Sequence, residues 1–267
     1  MAASVVCRVV LVRTWNVFHG NTVPPGRVNL LEEAVRLAAS AGPAVVCLQE
    51  LPLWSLEYLD DWSGMPALGV AARRSLLPRG LARRLTELDP ARFRSGFTGQ
   101  ANAILADARL RILDSSSIVL NPAAFRRRLD LPLAAQLAWA KERRVCQSVR
   151  LQLPDGRTMT VANLHATSYR HDPRPADAEV LRAAVFLDAV AAPADIAVLA
   201  GDFNLRPGES RALAEVAAWG FSAAGPGIDH VLVRGGSSEP ERRWPEERRR
   251  IGGALVSDHA PVEVTIE

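Results

Sequence analysis

The chain has 267 residues, 48% of them apolar and 23% charged; this is ordinary globular usage and excludes a disordered, fibrous or coiled-coil protein. Its 32 basic and 29 acidic residues leave a formal charge of +3, with Lys141 the only lysine. Arginine forks grip phosphate bidentately, but Ala-, Arg-, Gly- and Pro-rich usage is also what a GC-rich genome writes, so bulk charge names no partner.

In chain order, short β-branched runs at 5–12 and 45–48 read as buried strands. Between them 27–40 carries Val28, Leu31, Val35 and Ala38 near one face and stops at Gly42-Pro43, as a helix does. The stretch 54–100 reads as a long loop over the core, although Leu76, Leu77, Leu81, Leu85 and Leu88 also fit an amphipathic helix. Strands follow at 102–106, 117–120, 145–153, 158–164, 196–200, 229–233 and 261–266, and helices at 176–190 and 210–219. The run 145–153 alternates, and Pro154-Asp155-Gly156-Arg157 turns it into the next strand as a hairpin. A second long loop is expected at 234–253, with Arg242, Arg243, Arg248, Arg249 and Arg250. Hairpins and crossovers together predict one α/β domain over residues 1–267, with two mixed sheets and helices outside.

Cys7, Cys47 and Cys146 each lie in an apolar run without C-x-x-C spacing and read as reduced core thiols. No secretory leader pattern opens the chain, and no stretch of about 18 apolar residues offers a transmembrane segment. A cytoplasmic protein is expected.

The informative residues are polar ones that close apolar strands, because a strand end delivers its side chain to the rim where loops meet. Six such endings recur: Thr14-Trp15-Asn16, Leu48-Gln49-Glu50, Asn163-Leu164-His165, Gly201-Asp202-Phe203-Asn204, Ile228-Asp229-His230 and Ser257-Asp258-His259. If these strands are neighbours, their side chains converge on one pocket. Oxygen donors dominate and cysteine ligands are missing, which suits a hard cation, Mg²⁺, Mn²⁺ or Ca²⁺, rather than structural zinc. Histidines beside such a cation can move protons near neutral pH, which points to metal-assisted hydrolysis, most plausibly at phosphorus.

The series TWN, LQE, GQANAIL, NLHATS, LAGDFN, GIDHVLV and SDHAPV, in that order, resembles the endonuclease/exonuclease/phosphatase superfamily of DNase I-like and exonuclease III-like proteins. The resemblance implies a four-layered α/β sandwich with two mixed, mostly antiparallel sheets packed face to face. It implies Mg²⁺ at Glu50, assisted by Asn16 and Asp258, with Asp202 orienting or deprotonating the attacking water. Asn204 is expected to hydrogen-bond the phosphoryl oxygens, and His165 and His259, the latter positioned by Asp229, to contact the scissile phosphate. Asn102 is expected to support substrate binding. His230 points to the opposite face from Asp229 and reads as structural; His19 and His171 read as solvent-facing.

The resemblance implies a reaction class more firmly than a substrate. The short stretch from Asp202 to Asp229 has room for one helix and lacks the longer insertion that exonuclease III-like proteins use around an abasic site. Arg73, Arg74, Arg79, Arg83, Arg84, Arg92 and Arg94, with Trp54 and Trp62, could grip a phosphate backbone and stack on bases; Arg126, Arg127 and Arg128 add a further run. The expectation is a nuclease acting on DNA or RNA. The alternative is a phosphatase or a phospholipid phosphodiesterase using the same site, for which an amphipathic helix could touch a membrane surface.

Overall fold

The apolar runs fold as the strands their composition favours. The computed structural model describes residues 9–93 and 95–267; Cys7, Arg94 and the start of the 5–12 run lie outside the described residues. The chain begins β1 (Val10–Asn16), β2 (Thr22–Val23), α1 (Leu31–Ala39), β3 (Val45–Leu51), α2 (Leu59–Ser63), β4 (Ala67–Arg73), α3 (Arg79–Leu88) and α4 (Ser95–Thr98). It continues β5 (Gln100–Ala106), β6 (Arg111–Val119), α5 (Ala123–Arg126), α6 (Leu133–Ala140), β7 (Val145–Gln152), β8 (Thr158–His165) and α7 (Arg174–Val190). It ends β9 (Ile196–Asp202), α8 (Arg211–Ala218), β10 (Asp229–Arg234), β11 (Arg242–Arg243), β12 (Arg250–Ile251), β13 (Ala254–Val256) and β14 (Val262–Ile266).

Two large sheets result, ordered β11-β14-β1-β3-β5-β4 and β10-β9-β8-β7-β6. Neighbours are antiparallel except β1 with β3 and β8 with β9. These are the pairs joined by α1 and α7, as a parallel neighbour requires a crossover. The sheets pack face to face through Val12, Val45, Cys47 and Ile104 from one and Val149, Val161, Val198 and Val231 from the other. The outer face of the first sheet is covered by Leu31, Ala34, Val35 and Ala38 of α1. That of the second is covered by Val180, Ala183 and Leu187 of α7 and Leu213 and Val216 of α8. The architecture is therefore helix, sheet, sheet, helix, a four-layered sandwich. Among the described residues no helix is long and apolar enough to cross a membrane.

Both expected long loops are corrected. Residues 54–100 hold α2, β4, α3 and α4, and β4 completes the edge of the first sheet against β5. The helix α3 is real, but its buried side chains are Ala82 and Thr86, while Leu81 and Leu88 face solvent. Thr86 accepts a hydrogen bond from Trp54 Nε1 at 3.2 Å, so a polar contact sets the helix rotation that its leucines do not. Within 234–253, β11 pairs with β14, and β12 pairs with the following β13, which joins β2 in a small three-stranded ribbon. Helix α1 starts later than its pattern because Asn29 Oδ1 accepts from the Leu31 N–H at 2.8 Å, leaving Val28 exposed.

Candidate active site

Strand register places the polar endings side by side. Asp202, which closes β9, is the direct partner of His165 across β8 and of Asp229 across β10. On the other sheet, Asn16 at the end of β1 lies opposite Gln49 of β3. Gln49 is an inter-sheet tie: its Nε2 donates to Asn163 Oδ1 at 2.7 Å, and Asn163 Nδ2 donates to Leu48 O at 3.0 Å and Ala103 O at 2.9 Å. Two locally irregular residues complete the rim. Glu50 sits where β3 slips register against β5 and has φ +55°, which turns its carboxylate out of the pleat and leaves its side chain 21% exposed. Asn204 has φ +52°. A positive φ is uncommon for an ordinary side chain, and at Glu50 it is held by the surrounding sheet.

Asp202 is the hub. Asn16 Nδ2 donates to its Oδ2 at 3.0 Å and the Asn204 N–H to its Oδ1 at 3.0 Å. His165 Nε2 lies 3.5 Å and His259 Nε2 3.8 Å from the same Oδ2. His259 Nδ1 donates to Asp229 Oδ1 at 2.8 Å, which fixes the ring. Asn204 Nδ2 is anchored on Ala166 O at 3.0 Å. The loop carrying His259 is fastened to β1, since Ser257 Oγ donates to Asn16 O at 2.6 Å and accepts from the His259 N–H at 3.0 Å.

Burial pushes the Asp202 carboxyl well above the usual carboxylate range, against the opposing pull of His259. Burial alone would lower His259, but the facing carboxylates of Asp202 and Asp229 win and hold it above the usual imidazole range, as a cation. His165 moves the other way: burial first, then the Arg144 guanidinium, holds it well below the ordinary value and therefore neutral. Arg144 Nη1 is 3.2 Å from both His165 ring nitrogens, and Gln100 Nε2 donates to Nδ1 at 3.2 Å. That leaves the Nε2–H of His165 directed at Asp202. Burial also raises Glu50. The site thus joins a carboxyl poised to accept a proton, a neutral imidazole donor and an imidazolium.

Of the expected residues, Asn16, Glu50, His165, Asp202, Asn204, Asp229 and His259 share this gap. Asp258 is exposed at its rim. Asn102 is buried between the sheets with Nδ2 3.3 Å from Val145 O, and among the described residues it makes no hydrogen bond to the group around Asp202. His230 faces away: its Nε2 meets Leu205 O at 3.0 Å and its ring packs edge-on to Phe203. His171 is exposed. The reading of His19 as solvent-facing is overturned: it is only 2% exposed, with Nε2 3.7 Å from Glu50 Oε2. Arg144 and Gln100 were also missed, each lying at the first residue of a strand or just before one, where the apolar pattern carries no polar signal. For a cation, Asp202, Asp229 and His259 have ligand atoms within 4.8 Å of one another, but the short His259 to Asp229 hydrogen bond already occupies that pair. Glu50, with Asn16 beside it, is the acid with an open face, and its oxygen donors fit a hard cation.

A cavity of about 910 Å³ opens beside the gap, lined by Asn204, Asp229 and His259 and by Tyr169, Arg170, Arg206 and Arg243. Arg170 and Arg206 are exposed. Gly227 makes room for Arg243, whose guanidinium occupies the space a Cβ would fill and reaches to 3.8 Å from Asp229 Oδ2.

The sequence profile of the Endonuclease/Exonuclease/phosphatase family matches residues 14–259. Curated protein sequences give no match. Among solved structures, an endonuclease/exonuclease/phosphatase from Bacteroides vulgatus is similar over 97% of this chain and 98% of its own, at TM-score 0.68 and 15% identity. A mannosyl-6-phosphatase from Bacteroides thetaiotaomicron aligns over 97% and 99% of the two chains at TM-score 0.65 and 17% identity. Truncated TDP2 from Caenorhabditis elegans aligns over 97% of each chain at TM-score 0.64 and 16% identity. Identities this low establish a shared fold.

Proposed function

Because the chain belongs to the endonuclease/exonuclease/phosphatase family, whose members hydrolyse phosphoesters, we propose that it is a divalent-metal-dependent phosphodiesterase that cleaves nucleic acid. The observation that carries this reading is the cleft beside the Asp229 and His259 pair, lined by Arg170, Arg206 and Arg243. A phosphomonoester concentrates its charge on the phosphoryl group being cut. Cations spread along a cleft beyond that point suit a substrate whose negative charge repeats, as a phosphate backbone does.

In this reading Glu50, with Asn16 and Asp258, would hold the divalent cation, which would neutralise charge on the phosphoryl oxygens. Asp202, raised by burial and steadied by Asn16, accepts the proton of the attacking water. The water oxygen forms a bond to phosphorus as the opposite P–O bond breaks. The His165 Nε2–H, the Asn204 amide and the His259 imidazolium surround the phosphoryl oxygens, and fixed donors of this kind lower the barrier where charge develops. His259 can release its proton to the leaving oxygen, with Asp229 keeping the ring in place.

The test is a metal-dependent assay on plasmid DNA, single-stranded DNA and RNA beside a panel of small phosphomonoesters. Cleavage of a polymer is expected. Turnover of a monoester with every polymer left intact overturns the proposal and selects the second reading, a small-molecule phosphatase, which the cavity volume of about 910 Å³ also accommodates.

A further inference from the structure

His19 lies on a short turn, Phe18–Gly20, directly after β1. Both Phe18 and His19 have positive φ, +49° and +55°, a costly backbone for side-chain-bearing residues that persists only where the surroundings enforce it. Here they do. The Phe18 N–H donates to Asn16 Oδ1 at 3.0 Å, Asn21 Nδ2 donates to Phe18 O at 2.8 Å, and the Leu30 N–H donates to Gly20 O at 2.9 Å. The turn is thus held partly by Asn16, a residue of the site, and it buries the imidazole with Nε2 facing Glu50.

The spacing between those two groups is the telling quantity. Nε2 of His19 is 3.7 Å from Glu50 Oε2, too far for a hydrogen bond. With bonds of about 2.1 Å to one ion, two donors stand about 3 Å apart when adjacent and about 4.2 Å apart when opposite. The observed separation falls inside that span. Glu50 meanwhile offers its other oxygen toward the reacting side, 3.8 Å from His165 Nε2. One carboxylate therefore faces an imidazole on each side, one on the β8 rim and one on the turn after β1.

We infer that His19 is a ligand of the divalent ion held at Glu50. The inference rests on the reading of Glu50 as the metal-holding carboxylate and adds to it a nitrogen donor. That changes the expected ion: Mg²⁺ favours oxygen ligands and keeps its waters, whereas Mn²⁺, also a hard ion but higher in divalent affinity order than Mg²⁺, accepts an imidazole within a mostly oxygen donor set more readily. Tighter binding of Mn²⁺ than of Mg²⁺ is accordingly expected.

Mn²⁺ titration followed by electron paramagnetic resonance reads affinity without turnover, and pulsed measurements on the bound ion read coupling to ¹⁴N. The wild-type protein is expected to show ¹⁴N coupling. His19→Asn, which keeps a residue that tolerates positive φ, is expected to lose it and to bind Mn²⁺ about 10-fold more weakly, with Mg²⁺ affinity little changed. His19→Asp restores an anionic oxygen donor and is expected to recover binding without the nitrogen signal. Thermal unfolding of each variant confirms the fold. Retained ¹⁴N coupling and unchanged Mn²⁺ affinity in a folded His19→Asn overturn the inference while leaving Glu50 in place. Unchanged Mn²⁺ binding in Glu50→Gln instead removes the reading on which it rests.

Discussion

Gly201 has φ +143°, and a Cβ there would run into the backbone carbonyl of Leu164. The chain can therefore set Asp202 against His165 only because the preceding residue has no side chain. Gly201→Ala is expected to cost at least about 2 kcal/mol in urea unfolding, with activity lost before the fold. Asp229 acts on chemistry rather than on packing. Removing its charge in Asp229→Asn leaves the His259 ring a neutral partner, so the imidazole reverts toward its ordinary range. A group held above that range loses its proton at lower pH once the support is gone. The variant is expected to lose about 10²- to 10⁴-fold in kcat/KM, with the alkaline limb of its pH profile moved to lower pH. An unchanged profile would contradict the assignment of His259 as the cation.

At the level of elements, the second sheet is pinned by one carboxylate placed just before β9. Arg150 Nε and Nη2 donate to Asp195 at 2.8 and 3.0 Å, Thr160 Oγ1 at 2.7 Å and the Ala192 N–H at 3.0 Å, and Thr158 adds its hydroxyl. Burial opposes the charge, but these donors outweigh it and hold the Asp195 carboxyl well below the usual carboxylate range. A depressed carboxylate stabilises the fold above its unfolded pKa, near 3.9, and stops doing so as pH falls through its folded value. Asp195→Asn is expected to destabilise the protein by about 2 to 4 kcal/mol at pH 7. The gap to wild type should shrink in acid below about pH 4, as denaturant melts over a pH series will show. The same scale shows what the sequence made legible. The strands β7, β8, β9, β10 and β14 were readable because their apolar residues form short runs or recur at alternate positions between turn signals. Strand β4, with the small residues Ala67, Gly69, Ala71 and Ala72 on an edge, lacks that signal, and the mostly exposed β6 was read only at its end, 117–120. In the site, the carboxylates and imidazoles that end apolar runs stood out. His19 did not, because a turn set by positive φ rather than by periodicity brings it inward.

Across the whole molecule, the arginines sort into two populations. Arg242 and Arg248 approach Glu263 at 3.4 and 3.7 Å, Arg250 approaches Glu246 at 3.6 Å, and Arg83 pairs with Glu87 at 2.7 Å. These contacts tie Arg83, Arg242, Arg248 and Arg250 to carboxylates of the fold itself, with Glu263 shared between two of them and Arg13. The guanidinium groups of Arg170 and Arg206, in the cleft, make no hydrogen bond or carboxylate pair among the described residues. Arg170→Gln with Arg206→Gln is expected to raise KM for a polynucleotide about 10-fold and to flatten its salt dependence, with kcat nearly kept. Equal loss in kcat would place those arginines at the reacting phosphate instead.

The pairing of β1 with β14 has a consequence for biosynthesis. Arg13 and Glu263 are joined at 2.9 Å across 250 positions, and Trp15 Nε1 donates to the carbonyl of His259 at 3.0 Å. A ribosome-bound chain that has emerged only through β13 already carries Asn16, Glu50, His165, Asp202 and Asp229, yet lacks both His259 and the strand that pairs with β1. Such nascent chains are expected to be inert. The site is thereby completed only when β14 docks, and folding must wait for contacts across 250 positions to close.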